Sequence, residues 1–420
     1  MAAKAQEAQG RDLLNQVVNA TPDQPLASAG VIARHANGAV ALKAATGQAF
    51  GPAGPQPFGF EQPFRVASIS KLVTTSVFLN FADTSRLDLD RDISELVGFE
   101  LRHPHHRGVA ITPRMLLSHT SGLRNGASYP VPLGHRLSEA FLPEGRHFDQ
   151  GAWFGPQDHR PGDWFAYADV NFALIAQILE RQSGDRFDLH MRRALFQPLG
   201  LDVGYNWSGV SQIARRRAAA AVRQDNAVWK TQVDDTVPVT PGIALLRAFD
   251  APGLDASDYR LGENGFVFSP HGGLRASLCD MDALARLFSA GGRLNGQARL
   301  SRTALEAMQK PTWIYDPQHP NGETDAGFLQ SYGLGCEAPL GRPGATGDGF
   351  FGEGQDDWRG HFGDAYGWIA GLFWNRRDGR TLVYALNGMP ATGRAKAQAS
   401  SLTAAEEKLI NLALAVQARA

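Results

Sequence analysis

The sequence predicts an α+β fold: an antiparallel sheet flanked by the N- and C-terminal helices, with a mostly helical domain inserted. Three observations lead there. Strand-like runs cluster towards both ends of the chain, and helical periodicity dominates its middle. Each terminus carries apolar residues at helical spacing, which need a surface to bury them. Terminal segments that pair around an insertion separate sheet from helix, unlike alternating βαβ units. The expected division is 1–85 with 261–420 as the sheet domain and 86–260 as the insertion, with the site in the cleft between them.

The elements follow in order. Residues 5–19 read as a helix with Leu13, Leu14, Val17 and Val18 on one side, ended by Pro22 and Pro25. Residues 28–35 and 39–46 are strand-like and flank Ala36-Asn37-Gly38, a strong hairpin signal. A Gly/Pro-rich loop leads to Ser68, and the next helix places Leu72, Val73, Val77, Phe78 and Phe81 at helical spacing. Thr112 and Pro113 suit the cap and first turn of a short helix that Gly122 ends. Ser118 and His119 in that segment are read as structural. Residues 124–161 are irregular enough to wall a cleft. Helices are expected over 170–181, with Asp169 at the cap position, over 186–196 and over 280–290. Residues 205–260 are weakly patterned, and Arg215-Arg216-Arg217 reads as a solvated face. Strands are expected at 332–336, 367–374 and 382–387. A last helix opens with the Thr403/Glu406 capping box and carries Ala405, Leu409, Leu412 and Val416 on its apolar stripe.

Bulk properties narrow the function. A net charge of −1 gives no electrostatic reason to bind nucleic acid or an anionic membrane. Two distant cysteines, Cys279 and Cys336, offer neither a disulfide framework nor a thiolate cluster. No apolar run is long enough for a transmembrane helix. Residues 1–10 lack the basic-then-apolar order of a secretory leader. The compartment stays open: cytoplasmic, or periplasmic or secreted where a leader has been removed. The run His103-Pro104-His105-His106 lacks zinc-ligand spacing and reads as an exposed loop. No metal or organic cofactor is implied.

The chemistry-bearing pair is Ser68 and Lys71. Residues three apart share a helix face, so hydroxyl and amine can meet. A serine hydroxyl is a poor nucleophile at neutral pH without a base beside it, and a desolvated lysine can serve. Of the lysines in the chain, only Lys71 follows a serine by three positions.

Six stretches in register then resemble the serine β-lactamase-related superfamily, from about residue 28 to about 390. They are Arg65–Lys71, Leu116–Leu123, Tyr167–Phe172, Pro198–Leu201, Gly272-Gly273-Leu274 with Asp280, and His361-Phe362-Gly363. The superfamily includes class C β-lactamases, D-alanyl-D-alanine carboxypeptidases and β-lactamase-type esterases. The resemblance implies a β-lactamase/transpeptidase-like fold and an acyl-enzyme on Ser68. Lys71 is its amine partner, and Tyr167 moves protons between nucleophile and leaving group. His361-Phe362-Gly363 would lie on the edge strand, with backbone N–H groups of Ser68 and Asp364 as the oxyanion hole. Gly-x-Ser-x-Gly, the mark of α/β-hydrolases, is absent from the chain.

Two positions depart from the β-lactamase pattern. Asp169 stands where asparagine is typical and offers no N–H to a substrate carbonyl. It would instead favour a charged Lys71, and so Tyr167 as the base. His361 stands where lysine is typical, which removes a fixed cation for a substrate carboxylate. Arg275 is the expected replacement. The resulting expectation is a serine hydrolase of a small ester or amide, foremost a carboxylesterase. A β-lactamase or a D-alanyl-D-alanine carboxypeptidase or D-amino-acid peptidase is the alternative, and a penicillin-binding-like module without turnover is a third. Asp169, His361, Gly363 and Asp364 are the expected substrate-binding residues.

Overall fold

The hairpin at Asn37-Gly38 seeds the sheet. Gly38 takes a φ of +82°, which the turn needs, and Ser28–Arg34 and Val40–Ala49 pair antiparallel on either side of it. The computed structural model describes residues 2–419 apart from 22, 52–53, 227 and 234–257. The expected stop at Pro22 and part of the weakly patterned stretch therefore lie outside the described residues. Ser28–Arg34 also pairs with Thr381–Asn387, from Ser28 opposite Asn387 to Arg34 opposite Thr381. Trp368–Asn375 and then Trp358–Ala365 extend the sheet to one edge, and Gln56–Pro57 ends the other. All five pairings are antiparallel.

Period-two alternation divides the strands between two cores. Val31, Ala33, Leu382 and Tyr384 face a cluster holding Leu14 and Val17 of the helix Ala2–Val18 and Leu409 and Ile410 of the helix Ala404–Gln417. Ile32, Val383 and Leu372 face the opposite cluster, with Leu284 of the helix Leu278–Ser289 and Val77 of the helix Ile69–Ser85. The chain is thus α+β, with the sheet held between its terminal helices and two internal ones. That second cluster continues through the helix Val170–Ser183. A three-stranded sheet of Phe64–Arg65, Leu274–Ala276 and Gly204–Tyr205 stitches the middle of the chain to its ends. The two-domain division stands as a proposal about topology, since one apolar core runs through both parts.

Local expectations hold where the signal is local. The Thr403/Glu406 capping box is formed, and Thr112 accepts from Met115 N–H ahead of Pro113. Four expectations need correction. The strand expected at 332–336 is only Ser331–Tyr332, because Gly335 turns at φ +58° with its Cα against Thr75; a Cβ there would lie 1.9 Å from Thr75 Oγ1. The helix expected at 186–196 is α only over Phe187–Met191 and continues as a π turn. Arg215 is not merely solvated: its guanidinium donates to the Val210 and Trp207 carbonyls. His103 is fully buried rather than on an exposed loop, with Nε2 3.1 Å from the Gly155 carbonyl.

Candidate active site

The strand Phe64–Arg65 runs into Ala67, whose φ of +50° is a left-handed conformation costing a side-chain-bearing residue about 1–2 kcal/mol. That turn puts Ser68 at the cap of the helix Ile69–Ser85. The next three N–H groups, of Ile69, Ser70 and Lys71, donate to the Val66, Ala67 and Ser68 carbonyls. No acceptor among the described residues takes the Ser68 N–H. It is thus a free donor at a helix N-terminus, where the dipole favours negative charge.

One turn on, the Lys71 side chain is completely buried. Its ammonium donates to Ser68 Oγ at 3.2 Å and to the His271 carbonyl at 3.0 Å, and pairs with Asp169 Oδ1 at 2.7 Å. It also lies 4.7 Å from the centre of the Tyr167 ring. Burial by itself lowers the pKa of Lys71, but Asp169 and Tyr167 outweigh it and hold the amine charged. An ammonium has three N–H donors and no acceptor. With acceptors for all three, Lys71 has no lone pair for the serine proton.

Tyr167 faces both groups, and the Lys71 ammonium and the Ser68 hydroxyl both favour its phenolate. Burial raises its pKa, Lys71 pulls it down and Asp169 pushes it back up, so the phenol is protonated at rest. The ring packs against His119 at a tilt of 31°, centroids 4.3 Å apart. His119 Nδ1 accepts from Ala168 N–H at 3.1 Å and lies 3.0 Å from the Asn171 amide, which fixes the segment carrying Tyr167. The structural reading of His119 suits that arrangement.

Asp169 does not cap its helix by a side-chain hydrogen bond, contrary to its expected structural role. Its carboxylate serves Lys71 instead, and its second oxygen accepts from Tyr129 Oη at 2.9 Å. Tyr129 Oη in turn lies 2.8 Å from His271 Nε2. The tyrosine's single proton goes to Asp169, so His271 Nε2 must donate. That leaves His271 Nδ1 buried and without a partner. Burial opposes ionisation of Asp169, yet Lys71 and His271 beside it carry its pKa well below the usual range. Sequence reasoning missed Tyr129 and His271. The first sits in the irregular stretch, and the second precedes a motif glycine; neither has a spacing that marks it.

The opposite wall is the edge strand Trp358–Ala365. Gly363 approaches the nucleophile turn so closely that a Cβ would lie 2.2 Å from the Val66 carbonyl oxygen. Asp364 follows, exposed, its carboxylate paired with Arg394. His361 is buried. Its Nδ1 lies 2.5 Å from the Phe362 carbonyl and 3.1 Å from Glu337 Oε1, both acceptors, so that nitrogen carries the proton. Nε2 then accepts from Tyr332 Oη at 2.9 Å. Burial pushes His361 down to about 3 and Glu337 up to about 8, so their contact joins two neutral groups. His361 therefore offers the cleft neither a cation nor a spare donor. Arg275 does not replace it: its side chain is fully buried, donates to the Gly273 carbonyl and lies over Trp207. The cations that do line the cleft are Arg394 and Lys396, which sequence reasoning did not single out.

The cleft has a volume of about 680 Å³, with Ser68, Tyr167, His361, Gly363, Asp364 and Arg394 on its walls. Lys71 and Asp169 stand behind Ser68 and Tyr167. Five of the seven expected site residues therefore line one cleft; Lys71 contacts it through Ser68, and Asp169 through Lys71.

Known proteins share this architecture. At the level of fold, the chain superposes on EstCE1, described as a hydrolase with promiscuous acyltransferase activity. The TM-score is 0.63 and the identity 18%, over 99% of this chain and 100% of that one. A D-amino acid amidase from Ochrobactrum anthropi SV3 gives a TM-score of 0.61 at 15% identity, over 96% and 98%. In sequence, an ML-236A carboxylate methylbutanoyltransferase of Penicillium citrinum is 26% identical over 197 residues, 43% of this chain and 46% of that protein. The chain spans about half the length of the curated relatives it matches first. A model of the Beta-lactamase family matches residues 14–405, nearly the whole sequence, and so the chain belongs to the Beta-lactamase family.

Proposed function

We propose that this chain is a serine hydrolase that cleaves small esters through an acyl-enzyme on Ser68, a carboxylesterase of its family. The observation that carries the reading is the fully donated Lys71 ammonium, 3.2 Å from Ser68 Oγ and 2.7 Å from Asp169 Oδ1. It serves as a fixed cation rather than a proton acceptor, which leaves Tyr167 as the proton carrier. In its reactive form Tyr167 is a phenolate held by the Lys71 ammonium. Its Oη takes the Ser68 proton as Oγ attacks the ester carbonyl. It then gives that proton to the departing alkoxide, which leaves as the alcohol and restores the phenolate. Water then repeats the sequence against the acyl-enzyme. The Ser68 and Asp364 N–H groups would hold the oxyanion, each worth roughly 3–4 kcal/mol in comparable sites.

A second reading, an anionic amide or β-lactam substrate, is favoured by Arg394 and Lys396 on the cleft wall. Hydrolysis of a p-nitrophenyl butyrate series against a cephalosporin separates the two. The ester reading expects the ester to turn over faster. Ser68→Ala should reduce that turnover by at least about 10³-fold, with loss of the acyl adduct in intact-protein mass spectra. Ester turnover that survives Ser68→Ala would overturn the proposal.

A further inference from the structure

Away from the cleft, the irregular stretch before Pro161 gathers three ligand-type side chains. His135 Nδ1 lies 2.9 Å from His147 Nε2 and 3.8 Å from Glu139 Oε2, and all three atoms lie within 4.8 Å of one another. Ligands about 2.1 Å from a tetrahedral zinc ion stand some 3.4 Å apart, so the triangle already has nearly the right size.

The ligands are also held from behind. Glu139 Oε1 accepts the Arg136 N–H at 3.0 Å, which aims Oε2 at the histidines. The His147 N–H donates to the Glu139 carbonyl at 3.1 Å, and the His147 carbonyl accepts from the buried Trp153 indole at 2.6 Å. The His135 carbonyl accepts from the buried Asn264 amide at 3.0 Å. Outer contacts of this kind orient metal ligands and tune affinity. The competing cation, Arg146, is 3.7 Å from Glu139 Oε2 and 72% exposed, so it can swing into solvent. Without an ion the two imidazoles share one proton in an N–H···N hydrogen bond, and a bound cation would take the place of that proton. His135 and Glu139 also line a separate cavity of about 210 Å³, where water can complete the shell.

We propose that His135 Nδ1, Glu139 Oε2 and His147 Nε2 form a binding site for a divalent d-block cation, zinc foremost. Two imidazoles and one carboxylate select such ions over calcium or magnesium, which take all-oxygen sets. The ion ties together the stretch that also delivers Tyr129 to Asp169, so its role is to brace that wall of the cleft.

The test uses the untagged full chain, stripped with chelator and titrated with zinc chloride by calorimetry. Metal content is measured after gel filtration. The expected result is one zinc per chain and a raised thermal midpoint, with calcium inert. His135→Ala/His147→Ala should abolish both effects. Glu139→Gln, which keeps the shape of the side chain, should weaken binding by about tenfold or more. If circular dichroism shows the double variant unfolded, Glu139→Gln and His147→Asn decide the matter. Zinc binding by the parent no tighter than by these variants would overturn the site.

Discussion

Asp169 sets the charge state of the Lys71–Tyr167 pair. An asparagine there would leave Lys71 less firmly charged and Tyr167 less strongly held as a phenol, because the carboxylate raises both. The sign of the substitution follows. In Asp169→Asn the pKa values of Lys71 and Tyr167 both fall, so the highest-pH break in the kcat/KM profile should move to lower pH. A break that stays in place or moves up would remove Asp169 from control of the pair. The residue types at 68, 71 and 167 were legible in the sequence as a nucleophile, a cation and a phenol. That Asp169 would favour a charged Lys71 was legible only through the family resemblance, because the two meet from different helices, and the partners that complete the ammonium's contacts were not legible.

At the scale of elements, the site depends on how closely the edge strand Trp358–Ala365 approaches the turn before Ser68. Gly363 permits that approach. Gly363→Ala would force the strand or the Val66 carbonyl aside, since the added Cβ would stand 2.2 Å from that oxygen. Overpacking of this kind costs about 1–3 kcal/mol, read as a lower thermal midpoint. A displacement near 1 Å of the oxyanion donors should lower kcat by about 10²-fold. A variant with unchanged kcat would show that the strand does not set the donor geometry. The helix after Ser68 was readable from its apolar spacing, whereas the depth at which the strand meets it was not.

At the scale of the whole molecule, buried acids and bases shape stability against pH. Burial raises Glu337 to about 8, Glu406 to about 7 and Glu180 to about 6, each from 4.5. Their stabilising share is complete below pH 4.5 and is lost as pH rises to those values, because the folded state binds more protons. Burial lowers His103 and His271 to about 4 and His361 to about 3, from 6.5. Their share is complete above 6.5 and is lost as pH falls towards those values. The thermal midpoint should therefore peak between about pH 5 and 6.5 and decline on both sides. Glu337→Gln should flatten the alkaline decline most. A midpoint that climbs steadily to pH 8 would contradict this account.

What the sequence determined by itself is what neighbouring residues determine between them: the Asn37-Gly38 hairpin, the Thr403/Glu406 cap, the helical stripes, and the three-residue spacing that brings Ser68 Oγ to Lys71 Nζ. Turn preference, capping and periodicity act over a few residues, and a linear reading captures them. The tertiary structure alone decided the rest. It put the His271 carbonyl, 200 positions away in the chain, on the Lys71 ammonium. It gave Asp169 to Lys71 and Tyr129 instead of to its own helix, fixed His361 as a neutral ring between Tyr332 and Glu337, and buried Arg275 away from the cleft. Charge states and hydrogen-bond partners depend on which distant groups share a dry interior, and no local pattern encodes that.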